Sequence, residues 1–248
     1  DAAAGFLFAL GMIVAFVPEG LLPTVTLSLG LGVQRMARRN ALVKRLSAVE
    51  TLGCTRVICT DKTGTLTQNE MTVREVWCDG LPCRGSGVGY APDGAPERPL
   101  PRALLRAAAL CNDARLLPPA EGRGWTVRGD PTEAALLVLA RKAGLDPPAE
   151  RNALPRVAEI PFEPRRRRMS TLHADASGVE GFVKGAPREL LALCRLEEEA
   201  RARALAEGDG MAAEGLRVLA LARRRLESVP ACLEAPEVER ELELLGLV

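Results

Sequence analysis

Apolar residues follow sharply different patterns along the chain. From Gly5 to Val33 they are nearly continuous, interrupted by Pro18 and Pro23 and by one charge, Glu19. That run is long enough to cross a bilayer as a helix. Val57-Ile58-Cys59-Thr60 is short, β-branched and unalternating, as a buried parallel strand is, and it stops at Asp61. A period-two pattern through Val73, Glu75, Val76 and Trp77, then Asp79-Gly80 and a second short run, predicts a hairpin with a type I′ turn. Gly85 to Pro101, rich in glycine and proline, reads as a loop, and Ala103 to Leu110 has helical spacing. Asp130 as N-cap, Pro131 in the first turn and Glu133 three residues after the cap predict a capping box that opens a helix to about Ala143. Val157 to Phe162 and Glu180 to Val183 read as strands, with a turn near Asp175 to Gly178. About Glu197 to Ala206 predicts a solvated helix. Gly215 to Ala222 predicts a buried strand whose one charge, Arg217, needs an anionic or π partner. His173, the only histidine, is expected exposed at a strand end, with no chemistry.

Composition narrows the picture. The 248 residues suffice for one or two domains, and a net charge of +1 gives no field directed at nucleic acid. The run Arg165 to Arg168 is too short for a nucleic-acid patch and lacks interleaved aromatics. Seven cysteines without metal-ligand spacing read as reduced thiols that serve as small buried hydrophobes. Lysine occurs only at 44, 62, 142 and 184, so Lys62 and Lys184, both inside compact motifs, stand out. Arg35, Arg38, Arg39, Lys44 and Arg45 follow the apolar run, which argues against a signal peptide and places that flank in the cytoplasm.

Two carboxylates are candidates for chemistry. Ligands of open α/β sheets dock at the carboxyl ends of strands, so Asp61 with Lys62, Thr63, Gly64 and Thr65 reads as a phosphate site. A carboxylate there can act as a nucleophile and become an aspartyl-phosphate. Glu19, in mid-membrane, marks an ion or proton path. Pro18 removes a backbone donor and frees a carbonyl upstream, so the carbonyls of Val14, Ala15 and Val17 are candidate cation ligands beside Glu19. In Lys184-Gly185 the glycine permits close backbone approach and the lysine offers a point charge for phosphate or the adenine edge. On the residues alone, Glu133 reads as a helix cap.

These stretches resemble the cation-pumping P-type ATPases of the calcium and sodium/potassium branch. Asp61-Lys62-Thr63-Gly64-Thr65-Leu66-Thr67 resembles their phosphorylation motif, and Val17-Pro18-Glu19-Gly20-Leu21 their Pro-Glu-Gly-Leu motif. Arg35 to Asn40 and Ala48 to Gly53 resemble the connection from membrane to catalytic domain, and Gln68 to Val73 the hinge out of the phosphorylation domain. Cys111-Asn112, Gly129 to Glu133, Phe162 to Ser170, Lys184 to Pro187 and Arg217 are similar to elements of the nucleotide-binding domain, with Arg188 where the family has glutamate. Leu242 to Val248 resembles the strand that returns to the phosphorylation domain.

The resemblance implies an α/β fold: an incomplete haloacid-dehalogenase-like, Rossmann-type phosphorylation domain, an inserted α+β nucleotide-binding domain and one transmembrane helix. The implied division is 1–34 membrane helix, 35–72 first part of the phosphorylation domain, 73–238 nucleotide-binding domain and 239–248 return strand. It further implies ATP held by Glu133, Phe162, Arg167, Lys184, Gly185 and Arg217, with Phe162 stacked on adenine and Arg167 on phosphate. Mg2+ is implied at Asp61 and the main-chain carbonyl of Thr63, with Lys62 and Thr65 offsetting charge on the transferred group. The implied partners are membrane lipid, a transported cation at Glu19, and the remaining domains of the same pump; no nucleic acid is among them. The implied setting is the plasma membrane with cytoplasmic catalytic domains. The family's second magnesium-binding loop and its actuator domain are expected outside these 248 residues, which leaves an apolar surface uncovered. Gly20-Leu21-Leu22-Pro23 leans toward the sodium/potassium-like group. Two rivals are a soluble phosphohydrolase of the haloacid dehalogenase type and a nucleotide-binding fragment without turnover. The first normally has an acid/base aspartate two residues after the nucleophile, where this chain has Thr63.

Overall fold

A computed structural model of the chain describes residues 2–16, 20–120, 124–175, 178–230 and 233–248. The chain divides into two units, Asp1–Leu66 and Thr67–Val248.

In the first unit the apolar run forms α1 (Ala2–Phe16) and α2 (Leu21–Ala37), neither with a buried residue. By length and composition the stretch Ala2–Ala37 is able to cross a membrane. Phe6, Phe8 and Phe16 of α1 are exposed. Val17, Pro18 and Glu19 lie outside the described residues, so the expected cation site is represented only by Val14 and Ala15, both in α1. The short α3 (Leu46–Gly53) follows.

The strand expected at Val57 to Thr60 does not form: residues 55–60 are irregular and exposed, Val57 at 75% and Ile58 at 85%. A parallel strand is stable only when neighbours satisfy its backbone groups, and no strand among the described residues pairs with this one. The phosphorylation-domain sheet expected from the sequence is therefore absent from the described fold.

The second unit is built on seven strands. β1 (Glu75–Cys78) and β2 (Leu81–Arg84) form the expected hairpin, with Asp79 at φ 54° and Gly80 at φ 75° supplying the two left-handed positions of a type I′ turn. After the loop come α4 (Arg102–Leu110), a small ribbon of β3 (Arg115–Leu117) and β4 (Thr126–Arg128), α5 (Pro131–Lys142) and α6 (Pro147–Ala153). A meander follows, β5 (Arg156–Glu163), β6 (Arg168–Asp175) and β7 (Gly178–Gly185). The chain ends with α7 (Pro187–Leu191), α8 (Glu198–Ala213), β8 (Ala220–Leu226), α9 (Ala235–Val238) and β9 (Glu243–Leu247). The sheet order is β2-β1-β9-β8-β7-β6-β5, and every pairing is antiparallel.

Side-chain alternation assigns the two faces. Met169, Phe182 and Leu221 pack with Leu104, Leu110, Leu136 and Leu137 of α4 and α5. Val183, Ala220, Ala222 and Leu247 face the other way, against Leu190 of α7 and Met211 of α8. Both faces are covered by helices, so the central strands read as nearly continuous apolar runs.

Four expectations about this unit are corrected. Leu242 to Val248, expected to leave the lobe, is bound within it: β9 lies between β1 and β8. The strand expected to begin at Gly215 begins at Ala220, which leaves Arg217 exposed ahead of it, free of the burial cost expected. His173 is 1% exposed in the interior of β6, its ring bracketed by the Leu154 carbonyl and the Thr171 hydroxyl, each at 3.0 Å. A β-strand partner on each side and the tilted ring of Phe182 at 5.7 Å make that position core. The helix expected to end near Ala206 runs to Ala213, burying Ala204, Gly208 and Met211 along one edge. The six described cysteines are free thiols, Cys78, Cys83, Cys111 and Cys194 buried and Cys54 and Cys59 exposed.

Candidate functional site

The acidic loop lies in the first unit. Thr63 (φ −77°, ψ 123°) and Gly64 (φ 75°, ψ −1°) have the dihedrals of the two central residues of a type II turn, so Lys62 to Thr65 reverse direction just after Asp61. A side chain at position 64 would be strained, which accounts for the glycine. Asp61, Lys62, Thr63 and Thr65 are all exposed. They form a surface loop and not the rim of a sheet.

In the second unit, one cavity of about 300 Å³ gathers the other predicted residues. Glu133 comes from the first turn of α5, Phe162 from β5 and Arg167 from the turn before β6. Lys184 and Gly185 come from the end of β7, and Arg217 from the segment before β8. All six line the cavity, beside the apolar Leu136, Met169 and Leu219.

Each is set by its local chain. Asp130 caps α5, its Oδ1 accepting from the N–H groups of Thr132 (2.8 Å) and Glu133 (3.3 Å). The reciprocal half of the capping box is not made. The Glu133 carboxylate instead accepts from the N–H groups of Asp113 (2.9 Å) and Ala114 (3.0 Å) and from the Lys184 ammonium. Glu133 is thus a pocket residue, and Asp130 alone caps the helix. Lys184 also donates to the Cys111 carbonyl at 2.6 Å. Alternation along β7 puts Lys184 on the α4/α5 face with Phe182, where a lysine needs such partners because it is mostly buried. Phe162 is the contrary case, an aromatic ring 60% exposed at the cavity.

The arginine turn divides its labour. Arg166 and Arg168 both clasp Glu239, each at 2.5 Å, and Ser170 donates to the same carboxylate at 2.6 Å. Burial raises the Glu239 pKa, but Ser170, Arg166 and Arg168 outweigh it and hold the carboxyl below its ordinary range. Arg167, in left-handed conformation (φ 52°), is the arginine of this turn that lines the cavity, and it meets Glu189 at 2.9 Å. Close packing of the turn on β7 explains Gly185: a Cβ there would lie 2.5 Å from Arg168 Cβ and 2.7 Å from the Arg167 carbonyl oxygen. Arg217 donates to Thr132 Oγ1 at 3.2 Å.

Sequence reasoning missed Glu239, whose partners lie about seventy positions away and which no periodicity marks. It also missed Thr132, Met169 and Leu219 as lining residues. Met169 and Leu219 had a signal, since Met169 falls in the stretch Phe162 to Ser170 and Leu219 in the predicted strand Gly215 to Ala222.

Comparison with known proteins identifies the family. Residues 101–248 match the family described as "P-type ATPase, cytoplasmic domain N". The chain belongs to the P-type ATPases. It is 41% identical over its whole length to the "Probable cation-transporting ATPase F" of Mycobacterium tuberculosis, covering 29% of that protein. It is 36% identical to the "Calcium-transporting ATPase" of Bacillus subtilis, over 100% of this chain and 30% of the relative. With the "Calcium-transporting ATPase type 2C member 1" of Bos taurus it shares 38% identity, over 98% of this chain and 26% of that one. The chain thus spans less than a third of the length of these relatives.

Proposed function

We propose that this chain is the ATP-binding and phosphate-accepting part of a cation pump, in which ATP phosphorylates Asp61 and the phosphoenzyme drives a cation across a membrane. The observation that carries this reading is the convergence of Glu133, Phe162, Arg167, Lys184, Gly185 and Arg217 on one cavity. The exposed Phe162 ring gives the adenine a stacking face. Lys184, fixed by Glu133 and the Cys111 carbonyl, is a preset charge deep in the cavity. Arg167 and Arg217 are the phosphate contacts: a surface ion pair with Glu189 and a bond to a hydroxyl are weak enough to be exchanged for phosphate oxygens.

In the reaction, an Asp61 oxygen forms a bond to the γ-phosphorus as the bond from that phosphorus to its bridging oxygen breaks, releasing ADP. Lys62 and the Thr65 hydroxyl offset the charge that develops on the phosphoryl oxygens. The Asp61 carboxylate and the Thr63 carbonyl are exposed hard oxygens of the kind magnesium takes, and magnesium commonly uses one or two carboxylates with water and phosphate. No group of three or more His, Cys, Asp or Glu suited to a metal occurs among the described residues, so these two hold only part of the shell. When bound, the ion neutralises charge on the phosphate being transferred.

The cation path runs by Glu19 with the carbonyls of Val14, Ala15 and Val17. Calcium is the ion to assay first, because two of the relatives are calcium pumps by name, against the sodium/potassium lean of the doubled leucine. The setting is a membrane, supported by the stretch Ala2–Ala37, with the catalytic units on the cytoplasmic side. Thr63, two residues after Asp61, cannot relay a proton as an aspartate would, which favours a long-lived phosphoenzyme over a simple phosphohydrolase. The test is acid-quenched labelling of the complete pump with radioactive ATP. We expect a hydroxylamine-labile label that is absent from Asp61→Asn; a label that persists in that variant overturns the reading.

A further inference from the structure

The segment Asn112 to Ala114 is hydrogen-bonded in two directions. Its Asp113 and Ala114 N–H groups serve Glu133 in the cavity described above, while its Asn112 and Ala114 carbonyls accept from Arg151 Nη2 at 3.1 Å. Beside those carbonyls lies a separate cavity of about 250 Å³, lined by Arg115, Arg151 and Arg156 together with Asn112, Asp113 and His173.

The charges there are not balanced. Arg156 is matched by Asp113 and Glu159, each at 2.6 Å. Arg151 is not: only Nη2 is engaged, and only by carbonyls, those of Ala109, Asn112 and Ala114. Among the described residues, Arg151 Nε and Nη1 have no partner, and the Arg115 side chain has neither an ion pair nor a hydrogen bond. Burial, then the charges of Arg156 and Arg115, lower the Arg151 pKa from its ordinary value, against the smaller opposing pull of Asp113 and Glu133. His173, held neutral by burial down to a pH of about 4, contributes no charge to the balance.

We propose that this cavity binds a compact dianionic oxyanion, of which inorganic phosphate is the simplest, through the guanidinium groups of Arg115 and Arg151, with Arg156 adding positive charge beside them. Guanidinium forks match oxyanion edges. The unused donors are those of Arg115 and of Arg151 Nε and Nη1, since Arg156 already spends Nη1 on Asp113 and Glu159 and Nη2 on the Leu110 and Asn112 carbonyls. Arginines dominate the lining, and among its described residues no Phe, Tyr or Trp offers a base a stacking face, which suits a small anion better than a nucleotide. An anion would replace like-charge repulsion with attraction while the Asp113 carboxylate stays engaged with Arg156.

The experiment is calorimetric titration of inorganic phosphate into the full chain, with and without a saturating non-hydrolysable ATP analogue. We expect saturable binding in both conditions. It should weaken about tenfold in Arg151→Gln, the loss typical of one charge-assisted hydrogen bond, and measurably in Arg115→Ala, an exposed position with no structural bond to lose. Circular dichroism checks the fold of each variant. Binding abolished by the analogue would place phosphate in the nucleotide cavity and overturn the proposal; so would no binding at all, or binding unchanged in Arg115→Ala. Because the Arg115 comparison needs no nucleotide, it stands or falls independently of the function proposed above.

Discussion

His173 is the residue at which the solvent and interior readings of one side chain differ most. Burial depresses its pKa from 6.5 to about 4, so the folded chain keeps the ring neutral where the unfolded chain would protonate it. Between those two values the unfolded state binds the extra proton, and stability falls as pH drops through about 6.5, levelling off below about 4. We expect a loss of about 2 kcal/mol between pH 7 and pH 5, read from urea unfolding by the fluorescence of Trp77 and Trp125, and absent from His173→Gln. The sequence offered only a lone histidine near a turn. Burial is decided by what lies on either side of β6, and that information is spread over Leu154, Thr171 and Phe182. Chemistry-bearing residues inside compact motifs fared better. Lys184 was recognisable from its motif and the scarcity of lysine, and Glu133 from its place after the Asp130 cap, yet nothing local announced that each is the other's partner, fifty-one positions away.

Elements held together by short-range rules were legible and those that need distant neighbours were not. The Asp79-Gly80 hairpin and the capped start of α5 follow from turn and cap chemistry within four residues. Val57 to Thr60 has the composition of a strand, but composition supplies no partner, and among the described residues none pairs with it. β9 was misassigned for a related reason, since its place between β1 and β8 depends on two strands far away in sequence. The β7 end illustrates how tightly one element sets another. A methyl group at Gly185 would meet the Arg167–Arg168 backbone and displace the turn that carries Arg167. Gly185→Ala is therefore expected to lose about 1–3 kcal/mol of stability, typical of overpacking, and to weaken ATP binding. Thermal melts and ATP titration measure the two effects; unchanged values for both would mean that the turn yields at no cost.

At the scale of the molecule, the two units differ in kind. Thr67–Val248 has its own core on both faces of a seven-stranded sheet, and its candidate cavity is assembled from side chains of that unit alone. Asp1–Leu66 has no buried side chain in its helices and carries the candidate phosphate acceptor on an exposed loop. Exposed apolar surface on that scale is expected where lipid or protein covers it. The central claim is that the cavity holds a nucleotide whose base stacks on Phe162. It is tested most directly by titrating ATP into the full chain and into Phe162→Ala, a position exposed enough that the fold survives the change. The account predicts one-to-one binding that weakens roughly tenfold in the variant, the value of one lost stacking contact. Equal affinity in the two proteins would contradict it.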